Sequence, residues 1–189
     1  MRTALLTIAT AAALLTGCGQ SADTPAATKN VQVLPITGID ATMADVPGMM
    51  QSMQGKPMKR DAAMRRMHER HEGMEQIGKS FKVAGHSLKS GTTDLRVIRS
   101  SAATLARIAA KSPAWFPAGT GPDIGKTRAK AEIWQKPADF IVKDTALRQA
   151  AAAFNAAARS GDLPTVQARF DDLGKTCKAC HDSYRSEEK

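Results

Sequence analysis

From Arg60 onward the chain reads as helix almost throughout. Met64, Met67, His71, Met74, Ile77, Phe81, Ala84 and Leu88 recur at three- and four-residue steps, which predicts a first helix from about Arg60 to Lys89. Ser90, Gly91, Thr92 and Thr93 interrupt it, with Thr92 or Thr93 available as the next N-cap. Leu95, Ile98, Ala102, Leu105 and Ile108 predict a second amphipathic helix ending near Lys111. Between Ser112 and Lys136, Pro113, Pro117, Gly119, Gly121, Pro122 and Gly125 predict a long ordered loop. Trp115, Phe116, Ile133 and Trp134 suggest that this loop packs down. Phe140, Leu147 and Phe154, with alanines between them, define a third helix from about Pro137 to Arg159. Ser160, Gly161 and Asp162 end it, and Pro164 opens a fourth helix through Val166, Phe170 and Leu173. No strand pattern competes. Four helices of roughly 20 residues, joined by short connections and one long crossing loop, make the fold class all-α and the architecture an antiparallel four-helix bundle.

Upstream of Arg60 the pattern changes twice. Met1 and Arg2 form a minimal positive start, Ala4 to Leu15 is a short apolar run, and Leu15-Thr16-Gly17-Cys18 closes it. That run is too short to span a bilayer. Residues 1–17 therefore read as a signal peptide, and the ending resembles a bacterial lipobox in which Cys18 becomes the lipidated first residue of the mature chain. The alternative is an ordinary secretory peptide cut near Gly17, and both readings export the chain. A lipid on Cys18 would tether the protein stably to a membrane. Gly19, where an aspartate is associated with inner-membrane retention, points weakly to the outer membrane. Residues 18–59 read as a flexible spacer, rich in Thr, Ala, Pro, Gly and Met. Met43, Met49, Met50, Met53 and Met58 could hold copper(I) through their thioethers or simply pack adaptably. The folded domain is expected over 60–189.

The formal net charge is +9, so a basic domain remains when Arg2 leaves with the signal. Such a balance points to acidic partner proteins or, equally, to a solvated surface. One tyrosine, two tryptophans and five phenylalanines, with no basic stretch interleaved among them, argue against nucleic acid.

The strongest chemical signal is Cys177-Lys178-Ala179-Cys180-His181, the pentapeptide of covalent c-type haem attachment. Two thiols can add across the vinyl groups, and the adjacent histidine can ligate the iron from the same turn. A zinc site would need a fourth ligand from His68, His71 or His86, and a thioredoxin-like pair would need a βαβ setting. Haem attachment outside the cytoplasm agrees with the export signal, so a periplasmic protein is expected.

Together with Phe116-Pro117-Ala118-Gly119-Thr120-Gly121, Ala129-Lys130-Ala131-Glu132-Ile133-Trp134 and Gly174 to Arg185, the pentapeptide makes the chain resemble the cytochrome c′ family of class II c-type cytochromes. The resemblance covers about Arg60 to Arg185 and implies one covalently bound haem c near the C-terminus of the bundle. It implies that Cys177 and Cys180 carry the haem and that His181 is an axial iron ligand. Arg185 would be the basic residue beside the proximal imidazole, or else a solvated charge at the helix end. Arg70 would be the family's first-helix arginine, a cofactor-binding position. Four residues later Met74 takes the place that faces the distal side of iron.

Where cytochromes c′ proper carry a non-ligating side chain there, Met74 offers a thioether that can bind iron. His71 is a competing ligand and simple core packing of Met74 a further possibility. The expected function is therefore single-electron transfer through a His181/Met74-ligated haem in a lipid-anchored, low-spin member of the family, not an enzyme. The alternative is a five-coordinate, high-spin cytochrome c′ binding nitric oxide or carbon monoxide. A copper-handling lipoprotein built on the methionine patch is a third reading. Family members commonly pair through their first two helices, so a homodimer is possible, with Phe81, Ile98 and Leu105 available for that contact or for the core.

Overall fold

The computed structural model describes residues 45–90 and 93–187; the signal peptide, Cys18 and Met43 lie outside them. Helix α1 spans Val46–Gln54, α2 Arg60–Lys89, α3 Leu95–Ala109, α4 the single turn Glu132–Gln135, α5 Pro137–Ser160 and α6 Leu163–Tyr184. Helices α2, α3, α5 and α6 form an antiparallel four-helix bundle, in which α2 packs on α3, α3 on α5 and α5 on α6.

Local chemistry accounts for the boundaries. The N-cap of α3 is Asp94, not a threonine, and its carboxylate accepts the N–H of Arg96 at 2.8 Å. Asp162 caps α6 through the N–H of Thr165 at 3.1 Å, with Pro164 in the first turn, where its missing N–H costs nothing. Gly161 closes α5 in the left-handed conformation, φ +80°, which a side chain would strain. The crossing loop starts with a 3-10 turn, Ser112–Trp115, and does pack down: Trp115, Phe116 and Ile133 are all buried.

Two aromatic groups organise the interior. Phe81 of α2 stacks on Phe170 of α6 with centroids 4.2 Å apart, and Phe154 of α5 meets the same ring at 5.6 Å. Nearer the end of α6, Phe140 receives Phe116 at 4.6 Å and Tyr184 at 5.2 Å, both edge-on. Ile98 and Leu105 are fully buried and serve the core, whereas Phe81 is half-buried against Phe170.

The spacer expectation needs correction over its last third. Residues Val46–Gln54 are helical, and Met49 and Met53 are 2% and 3% exposed in the hydrophobic core. Helix α1 packs against α5 and the 3-10 turn. Helix α1 and the chain just beyond it hold the crossing loop by two backbone bonds, Ala118 N–H to Ser52 O at 2.9 Å and Met58 N–H to Ala118 O at 3.2 Å. Gly119, at φ +77°, lies against Pro57 closely enough that a Cβ would sit 2.9 Å from the ring. Asp45 anchors the start of α1 to the buried Arg148, whose Nε also bonds Asp144 at 3.0 Å. Val46, Met49, Met50 and Met53 do repeat at helical spacing, but Pro47, Gly48 and Gly55 obscure so short a run. With two thioethers committed to the core, the patch loses those ligands for copper.

Met53→Ala is expected to destabilise the domain by about 2–5 kcal/mol, the cost of emptying a buried methionine site. Urea unfolding measures it, and a change near zero would return this segment to the spacer.

Candidate haem site

The last two turns of α6 bring Cys177, Cys180 and His181 together. The two cysteines are half-buried against the core, while His181 is exposed. Burial pushes both thiols up, Cys180 to about 11 with the nearby Asp144 adding to the effect, so both sulfurs stay protonated near neutral pH. His181 is held below the usual imidazole range, first by partial desolvation and then by the charges of Arg185 and Arg128. Buried Tyr184 donates its hydroxyl to Asp139 of α5, which fixes the end of α6. Arg185 is not on the helix: it is extended, φ −113° and ψ 127°, though its N–H still reaches His181 O at 3.0 Å.

Across the bundle, α2 presents Arg70. Its side chain is 5% exposed, and its guanidinium donates to Trp115 O at 3.2 Å, Thr120 O at 3.0 Å, Thr120 Oγ1 at 3.4 Å and Thr127 Oγ1 at 3.0 Å. It lies 5.1 Å from the Phe116 ring centroid and 5.7 Å from that of Trp134. Among the described residues no carboxylate pairs with it. Burial lowers its pKa to about 10, still charged at neutral pH. Neutral oxygens and ring faces satisfy its hydrogens without neutralising its charge, so the site retains an unmet demand for an anion.

Met74, one turn further along α2, is half-buried and packs on the same core cluster as Cys177 and Cys180. The structure separates it from the competing histidine. His71 and His68 have side chains 70% exposed, facing Glu75 at 3.5 Å and Glu72 at 3.2 Å on the solvent side. A shift of three residues rotates a side chain by about 60°, and here that carries the imidazole from core to surface. Met67 is buried and Met64 is exposed.

The family model described as cytochrome C′ matches residues 65–185, from before Arg70 through Arg185. The chain belongs to the cytochrome c′ family. It is 36% identical to cytochrome c′ of Rhodospirillum rubrum over 107 residues, 57% of this chain and 72% of that one. The crystal structure of cytochrome c′ from Thermochromatium tepidum covers 70% of this chain and all of its own, with TM-score 0.62 and 28% identity. A solved nitric oxide complex of a variant of cytochrome c prime from Alcaligenes xylosoxidans covers the same shares, with TM-score 0.55 and 29% identity. Cytochrome c′ proteins are periplasmic haem proteins with one covalently attached haem c.

Sequence reasoning missed what holds this cytochrome c′ site in shape. Thr120 and Thr127 serve Arg70, and Trp134 Nε1 donates to Phe116 O at 3.1 Å and Pro117 O at 3.0 Å. The crossing loop also pairs with the tail of α6: Lys130 N–H bonds Tyr184 O at 3.0 Å and Ser186 N–H bonds Arg128 O at 2.8 Å, around an antiparallel bridge of Ala129 and Arg185. Two tryptophans in a glycine-rich loop, Trp115 buried and Trp134 half-buried, were the available signal.

Arg70→Met should lower the unfolding free energy by about 1–3 kcal/mol, because buried carbonyl oxygens of the loop lose their donor. Chemical denaturation of the variant beside the wild type checks it.

Proposed function

We propose that this protein is a cytochrome c′ that binds a diatomic gas, nitric oxide or carbon monoxide, at a haem iron ligated by His181. The observation that carries this reading is the match over residues 65–185, which takes in both the Arg70–Met74 turn and the whole Cys177–Arg185 turn. The nitric oxide complex of the Alcaligenes xylosoxidans relative supports the choice of ligand. When bound, the haem supplies an iron that takes up a diatomic ligand or exchanges one electron.

The chain's own residues fit that group. Cys177 and Cys180, three apart on one helix, offer protonated, half-buried thiols as attachment points. His181 follows directly and offers a neutral imidazole, since its pKa lies below the usual value and Arg185 and Arg128 oppose a proton there. Arg70 supplies the buried cation that a carboxylate-bearing macrocycle would neutralise. Met74 and the core behind it would keep water from the distal side.

A second reading, single-electron transfer through a His181/Met74 pair, is favoured by one observation. The side chain four residues beyond Arg70 is a thioether, and it packs on the cluster that carries the two cysteines. Methionine is an established axial ligand of c-type haem, whereas the histidine that could compete for the position faces solvent. In either role the basic chain would meet acidic redox partners.

Absorption spectra of the oxidised and reduced protein separate the two. Gas binding calls for a high-spin, five-coordinate reduced form that takes up carbon monoxide rapidly and is unchanged by Met74→Leu. A sulfur-to-iron charge-transfer band that Met74→Leu abolishes would replace this reading with the second.

We further infer that Cys18 carries a lipid and tethers the domain in the periplasm. Cys18→Ser should move the protein from the membrane fraction to the soluble fraction, read by immunoblot of fractionated cells.

A further inference from the structure

Near the start of α2 a thioether and an imidazole share one surface hollow. Met64 is 44% exposed, while Met67 and Met74 on the same helix are buried and half-buried. It lines the hollow together with Arg65, His68 and Glu69. His68 follows Met64 by four residues, so the two side chains stand one turn apart on one face of the helix. Gly125 of the crossing loop lies against them. A Cβ there would stand 2.9 Å from Met64 Sδ and 3.5 Å from Met67 Cε, so the ends of two methionines converge at a residue without a side chain. The imidazole of His68 is 70% exposed, and its Nε2 meets Glu72 Oε1 at 3.2 Å. A carboxylate on one ring nitrogen fixes the tautomer and leaves Nδ1 as the electron-pair donor, the arrangement found at histidines that ligate metals. Such a pair one turn apart also supports a helix by itself, as His71 and Glu75 do at 3.5 Å. One turn before His71, however, stands the buried Met67, so that pair has no open thioether beside it. The surrounding charges select the ion. Glu69 is engaged by Arg66 at 2.6 Å, and Arg65 adds a positive charge to the hollow. Among the described residues no three His, Cys, Asp or Glu side chains converge to hold a metal. Neutral donors beside a cation oppose a divalent ion more than a monovalent one, and a thioether with an imidazole suits copper(I).

We propose that Met64 and His68 form a site for one copper(I) ion, bound through Met64 Sδ and His68 Nδ1 with the Met67 thioether alongside. Glu72 is a positioning residue that holds the imidazole without touching the ion. Binding donates two lone pairs to the metal, and nothing is oxidised or reduced. The rotatable bonds of Met64 let its sulfur turn from Gly125 toward the ion. Met49 and Met53 are committed to the core and do not compete. The site is separate from the haem residues, because His68 faces solvent while Arg70 is buried and Met74 packs on the core. It stands whichever ligand occupies the distal side of the iron.

The test is anaerobic equilibrium dialysis of the full haem-loaded, reduced protein against copper(I), with bound metal counted by atomic absorption. Met64→Leu and His68→Gln should each weaken binding by about tenfold or more, since losing even a partner outside the ligand set costs about 10–100-fold at metal sites. His71→Gln should match wild type, which controls for the loss of a histidine–carboxylate pair on the same helix. X-ray absorption at the copper edge should show sulfur and nitrogen around the ion, with sulfur lost in Met64→Leu and nitrogen lost in His68→Gln. Both side chains are exposed, so each variant should keep the haem spectrum and urea midpoint of the wild type. No copper retained by the wild type, or an equal loss in His71→Gln, would overturn the proposal. So would full binding in Met64→Leu with loss in a Met43→Leu/Met50→Leu/Met58→Leu variant, which would give the ion to the methionines before α2.

Discussion

The structure turns on one buried guanidinium. Arg70 has no acid beside it among the described residues, and its hydrogens go to the carbonyls of Trp115 and Thr120 and the hydroxyls of Thr120 and Thr127. A charge taken out of water must be surrounded by polar atoms, and those around Arg70 come from the crossing loop. The crossing loop therefore has to fold over α2, and what it carries is placed as a result. Phe116 and Trp134 lie against the guanidinium, Phe116 extends the contact to Phe140 and Tyr184, and Tyr184 ties the end of α6 to Asp139. Through these links a residue near the start of the bundle controls the surroundings of the cysteine pair near its end.

Helix α1 adds a second layer to this arrangement. It lies before the region that the family shares, yet Met49 and Met53 are core residues and Ser52 and Met58 clasp the loop at Ala118. The loop that satisfies Arg70 is thus held from both sides, by α2 beneath and by the α1 segment above. The same loop continues into the pairing with the tail of α6, through Arg128 and Lys130. Core packing and the surroundings of the Cys177–His181 segment both involve this one loop.

Much of the fold was legible along the chain because helix signals are local. The heptad-like repeat over Arg60–Lys89, the breakers near residue 90, Gly161 and Pro164 each act within a turn or two, and the observed helices follow them. The pentapeptide is local as well, since two thiols and an imidazole within five residues fall within little more than one helical turn whatever the rest of the chain does. The short α1 was hidden because its apolar repeat covers two turns interrupted by Pro47 and Gly48, and its stability comes from α5 and the loop. The α3 cap fell to Asp94 over the threonines because its carboxylate reaches the N–H of Arg96.

By itself the sequence determined the four bundle helices, the crossing loop and the chemical character of the C-terminal turns, all of which depend on neighbours within a few residues. Tertiary structure decided which of the α2 side chains face the interior. It sent His71 to solvent, kept Met74 against the core, buried two methionines of the supposed spacer and brought Arg128 beside the tail of α6. The physical reason is that burial and field at a site are sums over groups distant in the chain, and periodicity cannot report where a long loop will land.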